Sequence, residues 1–119
     1  MNRKASVTRK TKETNISISI DLDGKGEYQV ETGNGMLDHL LEQISRHGLV
    51  DLTVSAEGDI QTGWHHTVED VGITLGQAIR QAIGNGEGIR RVGSAMVPLD
   101  ETLAQVVIDV GGRAYSVIE

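Results

Sequence analysis

Residues 15–48 read NISISIDLDGKGEYQVETGNGMLDHLLEQISRHG, and the period of the apolar residues changes partway along them. Over residues 15–21, Ile16, Ile18 and Ile20 alternate with Asn15, Ser17, Ser19 and Asp21. Successive side chains of a strand point to opposite faces, so this alternation predicts a strand buried on one side. Asp23-Gly24-Lys25-Gly26 has turn composition and reads as a hairpin into a second strand carrying Tyr28 and Val30. From Met36 onward the apolar residues Met36, Leu37, Leu40, Leu41 and Ile44 fall at helical spacing, with Gly48 placed to stop the helix. The stretch thus builds both a sheet and an element to cover it.

Working outward, Ser6–Lys10 reads as a strand ahead of the first, and Val50, Leu52 and Val54 return to strand alternation. A second helix is predicted from Val68, Val71, Leu75, Ala78, Ile79 and Ala82, ended by Gly84-Asn85-Gly86. Thr67 with Asp70 three residues on resembles a capping box, and Glu69 and Asp70 suit the positive end of the helix dipole. Gly72 and Gly76 lie one turn apart, each costing about 1 kcal/mol relative to Ala, which fits a close approach by another element. LAQVVIDV, residues 103–110, is a strand apolar on both faces. The expected fold is α+β: a two-layer sandwich of a mixed β-sheet with helices on one face. A βββαβα unit fills residues 1–92, and residues 93–119 are the opening strands of a second, incomplete one.

The chain has 119 residues, no cysteine and no phenylalanine, so its core is aliphatic and no thiolate metal site is available. A net charge of −6 argues against nucleic acid as the main partner. Arg3, Lys4, Arg9, Lys10 and Lys12 make the beginning basic, but no apolar segment follows, so a solvated basic strand is preferred to a targeting peptide. No apolar run reaches the ~20 residues of a membrane span, which predicts a soluble, cytoplasmic protein. Asp21 and Asp23 begin like a calcium loop, but Lys25 and Thr32 occupy ligand positions and the flanks are strands, so an EF-hand is rejected.

HHTVED, residues 65–70, is the sharpest chemical signal. His66 and Glu69 are three apart and His65 and Glu69 four apart, so an imidazole and a carboxylate share a helix face. Adjacent histidines on a helix serve two different ions more easily than one. His39 lies beside Asp38 on the other helix. Nitrogen and oxygen donors without sulfur suit manganese, zinc, iron or nickel without choosing among them. The alternative is that His65 and His66 cap a helix and that His39 edges the core; for His47, in a last helical turn, a capping role is sufficient. In GNGEGIRR, residues 84–91, backbone N–H groups and an arginine pair have the chemistry of an anion site, as does Arg113 in GGR.

These motifs, in this order, resemble imidazoleglycerol-phosphate dehydratase. The matching stretches are RKTKET (9–14), GMLDHLLEQISRHG (35–48), GDI (58–60), HHTVEDVGITLGQAI (65–79), GIRRVGSAMVPLDETLA (88–104) and VIDVGGRAY (107–115). The resemblance implies a lyase of histidine biosynthesis that removes water from imidazole glycerol phosphate to give imidazole acetol phosphate. It implies two manganese ions bound at subunit boundaries of a homo-oligomer built from trimers. Carried residue by residue, it makes His39, His65, His66 and Glu69 metal ligands, with His66 and Glu69 also catalytic. It places Glu13 near the substrate as a candidate in proton transfer, and Arg91 and Arg113 on the phosphate.

Two departures qualify it. The family pattern is a duplicated unit with a second His-His-x-x-Glu-like motif, which does not occur before Glu119, so a C-terminally truncated fragment is expected. Thr62, Gly63 and Trp64 stand where an acidic pair is usual, and Gly111 replaces a serine beside Arg113. Two other readings stand beside the fragment: a half-length form that self-associates to complete its ligand sets, and a non-enzymatic metal-binding or assembly module.

Overall fold

A computed structural model describes residues 2–119, which divide into two compact units, one ending at Gly84 and the other beginning at Asn85. In the first unit, β1 (Lys4–Lys10), β2 (Thr14–Asp21), β3 (Tyr28–Glu31) and β4 (Asp51–Gly58) form one mixed sheet in the order β1-β2-β4-β3. Helix α1 (Gly35–Gly48) lies between β3 and β4 in the chain, and α2 (His65–Ile83) follows β4. Helix α1 packs on β3 and β4, and α2 on β1, β2 and β4. This is the expected two-layer mixed α+β arrangement.

The alternating isoleucines explain which face is covered. Ile16, Ile18 and Ile20 are buried, and across the antiparallel β2–β4 ladder they meet Ala56, Val54 and Leu52. Leu41 of α1 and Val71, Ala78 and Ala82 of α2 close over those rows. The other face carries Asn15, Ser17, Ser19, Thr53, Ser55 and Glu57, all exposed. Burial alternates residue by residue along both central strands, so a shift of one position would expose the whole core row.

The turn at residues 23–26 departs from expectation. It does not make a hairpin: β3 pairs in parallel with β4, and β4 lies between β2 and β3. The Asp51 carboxylate holds the connection instead, accepting the backbone N–H of Lys25 at 2.8 Å and of Glu27 at 2.9 Å. Helix α1 starts on Asn34, whose side chain accepts from the Met36 and Leu37 amides, and runs through Gly48. The left-handed residue that ends it is Leu49, with φ 55°. Among the described residues no helix is long and apolar enough to cross a membrane.

The second unit contains an antiparallel hairpin of β5 (Val92–Leu99) and β6 (Thr102–Asp109), both exposed along their whole length. The apolar strand expected over 103–110 is therefore present without cover.

Candidate metal centre

The histidine pair enters the structure through a tight turn. After β4, Asp59 leads into a single 3-10 turn, Ile60–Thr62, and the Thr62 amide and hydroxyl both donate to the Asp59 carbonyl at 2.9 Å. Gly63 follows with φ 99° and ψ −174°, a conformation that residues with a Cβ avoid. Glycine at this position, where the resemblance leads one to expect an acid, is thus what lets the chain turn back into α2. Trp64 is the N-cap and has no side-chain capping bond. Its indole lies over Gly33, just ahead of α1, where the nearest ring atom would be 3.5 Å from an added Cβ.

The capping role expected for Thr67 is not observed. Helix α2 begins two residues earlier, and Thr67 is fully buried with no partner for its hydroxyl. Asp70 is tied to distant chain instead, accepting from the Thr14 hydroxyl and from Arg9 Nε at 3.2 Å. Asp38, beside His39, is likewise occupied: its carboxylate accepts the Thr32 amide at 2.9 Å and the Thr32 hydroxyl at 2.5 Å.

His65 and Glu69 do meet. Nε2 of one lies 3.2 Å from Oε2 of the other, one helical turn apart, and both are exposed. His66 turns differently: its Nδ1 lies 2.9 Å from Asp59 Oδ2. The carboxylate can only accept, so Nδ1 carries a hydrogen, and in the neutral ring Nε2 keeps its lone pair. The Asp59 hydrogen bond, then its charge, raise the His66 pKa above its ordinary value against the opposing effect of burial, with Glu13 and Asp70 adding to the rise. The same bond lowers the pKa of Asp59.

The two imidazole centroids are 5.6 Å apart with the rings at 69°. His39 is exposed on α1. Among the described residues no group of three or more histidine, aspartate or glutamate side chains is gathered as a metal cluster. The donors nevertheless fit part of a nitrogen–oxygen coordination sphere: an imidazole and a carboxylate able to share one ion, and a second imidazole oriented by an acid. A structural zinc site takes about four such donors, so this partial set requires others for tight binding.

Glu13 sits in the β1–β2 connection, and its backbone carbonyl accepts the Asp59 amide at 3.0 Å. Glu13, Asp59 and Gln61 line one open depression of about 350 Å³. Within the second unit, Arg91 and Arg113 line a common cleft of about 1060 Å³ with Asp109, Gly111 and Tyr115. Arg91 donates to Asp109 at 2.6 Å, and this ion pair holds the aspartate pKa below 3.8. A Cβ on residue 111 would stand 2.8 Å from Arg91 Nη2, so the glycine there gives the guanidinium its room. Asp59 and Asp109 were both missed in the sequence. Each acts through a partner 7 or 18 positions away, with no periodicity to mark it.

Comparison with known proteins places these residues among relatives. Residues 32–119 match the family described as imidazoleglycerol-phosphate dehydratase. The chain is 56% identical over 117 residues to the protein of that name from Albidiferax ferrireducens, covering 98% of this chain and 57% of the relative. The corresponding protein of Methanothermobacter thermautotrophicus is 51% identical, with 98% and 60% covered. Two solved structures are similar: the dehydratase of Staphylococcus aureus, with TM-score 0.79, 35% identity and coverage of 94% and 60%; and that of Pyrococcus furiosus in complex with (S)-C348, with TM-score 0.76, 34% identity and coverage of 90% and 56%. The chain therefore spans less than two thirds of the length of these relatives.

Proposed function

Since this chain belongs to the imidazoleglycerol-phosphate dehydratase family, we propose that it contributes part of the active site of a metal-dependent hydro-lyase of histidine biosynthesis. The reaction is the dehydration of imidazole glycerol phosphate to imidazole acetol phosphate. The observation that carries this reading is the geometry at the start of α2: His65 and Glu69 side by side, and His66 turned by Asp59 to offer Nε2.

In this reading His65, His66 and Glu69, with His39 from α1, hold manganese, and other chains or segments complete the sphere in a homo-oligomer. A divalent ion bound there would supply Lewis acidity, stabilising the negative charge of the deprotonated substrate imidazole whose electrons expel the hydroxyl. The C–H to be broken is not adjacent to a carbonyl, so the substrate's own ring must accept electrons, and orientation of that ring is the protein's main task. In the same reading Glu13, in the connection tied to Asp59, is the group that moves a proton at the substrate carbon. Arg91 and Arg113 share one cleft and have the fork geometry to hold a phosphate bidentately, Asp109 fixing the direction of the first.

The test combines two substitutions with two ligands. His66→Ala should weaken manganese binding by about 10-fold or more and leave inorganic phosphate binding unchanged. Arg91→Ala should do the reverse. Calorimetric titration of each ligand into each variant separates the two roles. Manganese affinity identical in His66→Ala and the parent would remove His66 from the ligand set. Turnover, measured as formation of imidazole acetol phosphate, should require manganese.

A further inference from the structure

The Asp59–His66 contact has no part in a ligand set as such, and it fixes the one thing that spacing within HHTVED leaves open, the direction in which the ring faces. We propose that Asp59 is the positioning residue of the centre: it clamps His66 Nδ1 so that Nε2 is the donor presented to a divalent ion. This rests on the metal reading above and adds to it the choice of nitrogen and the group that makes it.

Three observations support the assignment. The Asp59 side chain is only 17% exposed while that of His66 is 44% exposed, so the acid is the fixed partner and the imidazole the one reaching outward. The backbone of Asp59 is itself held on both sides. Its amide donates to the Glu13 carbonyl at 3.0 Å, its carbonyl accepts from Thr62, and Gly63 returns the chain to α2. Finally, His65 is served by a different carboxylate, Glu69, through Nε2. The adjacent rings are therefore used unequally: one shares its Nε2 edge with a carboxylate that can join it on an ion, and the other is anchored from behind. A histidine whose remote nitrogen donates to a carboxylate is also a better electron donor at its free nitrogen.

The discriminating measurement is the tautomer of the ring, which activity does not report. Long-range ¹⁵N–¹H spectra of the ¹⁵N-labelled chain, at a pH where His66 is neutral, should show it protonated at Nδ1. Asp59→Ala should shift it toward the Nε2–H form that a free imidazole favours. Asp59→Asn, whose carboxamide oxygen can still accept, should retain much of the Nδ1–H form with the fold undisturbed in circular dichroism. Zinc, a diamagnetic probe, should bind the Ala variant about 10- to 100-fold more weakly than the parent, with Asn between. A parent ring protonated at Nε2, or equal zinc affinity in parent and both variants, overturns the clamp. A parent with the Nδ1–H tautomer that binds no zinc overturns the metal reading of the centre and the ion-facing part of this proposal, while supporting the clamp on the ring.

Discussion

Single side chains settle points of this fold that local patterns do not reveal. Asp51 is the clearest case, since its two amide contacts hold the connection that keeps β3 away from β2. The amides of Glu27 and Lys25, in that order, hold its carboxyl below 3.8 against the opposing effect of burial. The unfolded chain titrates at the higher value, so the stabilisation is complete above 3.8 and is lost as pH falls through the lower, folded value. Thermal melts from about pH 6 down to about pH 2 should show a shallower loss of Tm in Asp51→Asn than in the parent. Parallel curves would mean the contact contributes nothing to acid stability. Thr67 and Asp70 show the limit of reading residues locally. Their spacing imitates a capping box, but Asp70 is drawn to Thr14, 56 positions away, a contact that no window around the helix can contain. The HHTVED spacing, in contrast, brought His65 and Glu69 together as expected, because one helical turn sets that distance whatever surrounds it.

Elements were legible where a period ran for several residues. The Ile16, Ile18, Ile20 alternation became the central row of the core, and α2 packs through Val71, Leu75, Ala78, Ile79 and Ala82 of the stripe that predicted it; of the α1 stripe only Leu37 and Leu41 pack on the core, while Met36, Leu40 and Ile44 are exposed. Ile18, 1% exposed and opposite Val54, should therefore be costly to truncate. Ile18→Ala should lower the unfolding free energy by about 2–5 kcal/mol, whereas Ser17→Ala, on the open face, should change it by no more than about 0.5 kcal/mol. Urea denaturation of both variants checks the assignment of faces. A loss of equal size at both positions would place core on both sides of the sheet. What elements did not disclose is their pairing. Asp23-Gly24-Lys25-Gly26 has the composition of a hairpin, yet β3 has only four residues and gains more by lying parallel beside β4 under α1 than a turn composition can dictate.

At the level of the molecule, the exposed hairpin decides behaviour in solution. Ala95, Val97, Leu99, Ala104, Val106 and Ile108 lie on one face of β5–β6, with Ala95 opposite Val106 and Val97 opposite Ala104. Apolar surface of this kind, on strands open on both sides, promotes association. Light scattering of the chain should show species larger than 12.8 kDa. Val106→Lys should weaken that association about tenfold or more, since burying one valine contributes about 1.5–3 kcal/mol. A monodisperse monomer would show that the hairpin is not sticky. The strand order of the first unit has a different consequence, one of timing. Because β4 lies between β2 and β3, the chain cannot complete its sheet in the order in which it is synthesised. β1 and β2 can zip locally, but β3 must wait, and α1 with it, until β4 slides into the gap and the loop between them closes. Asp59 is the residue immediately after β4, and His66 arrives in the next helix. The Asp59 amide is tied to the Glu13 carbonyl beside the start of β2, so the frame that aims the imidazole is assembled when β4 pairs with β2, and the appearance of the Nδ1–H tautomer during refolding is a clock for that one ladder.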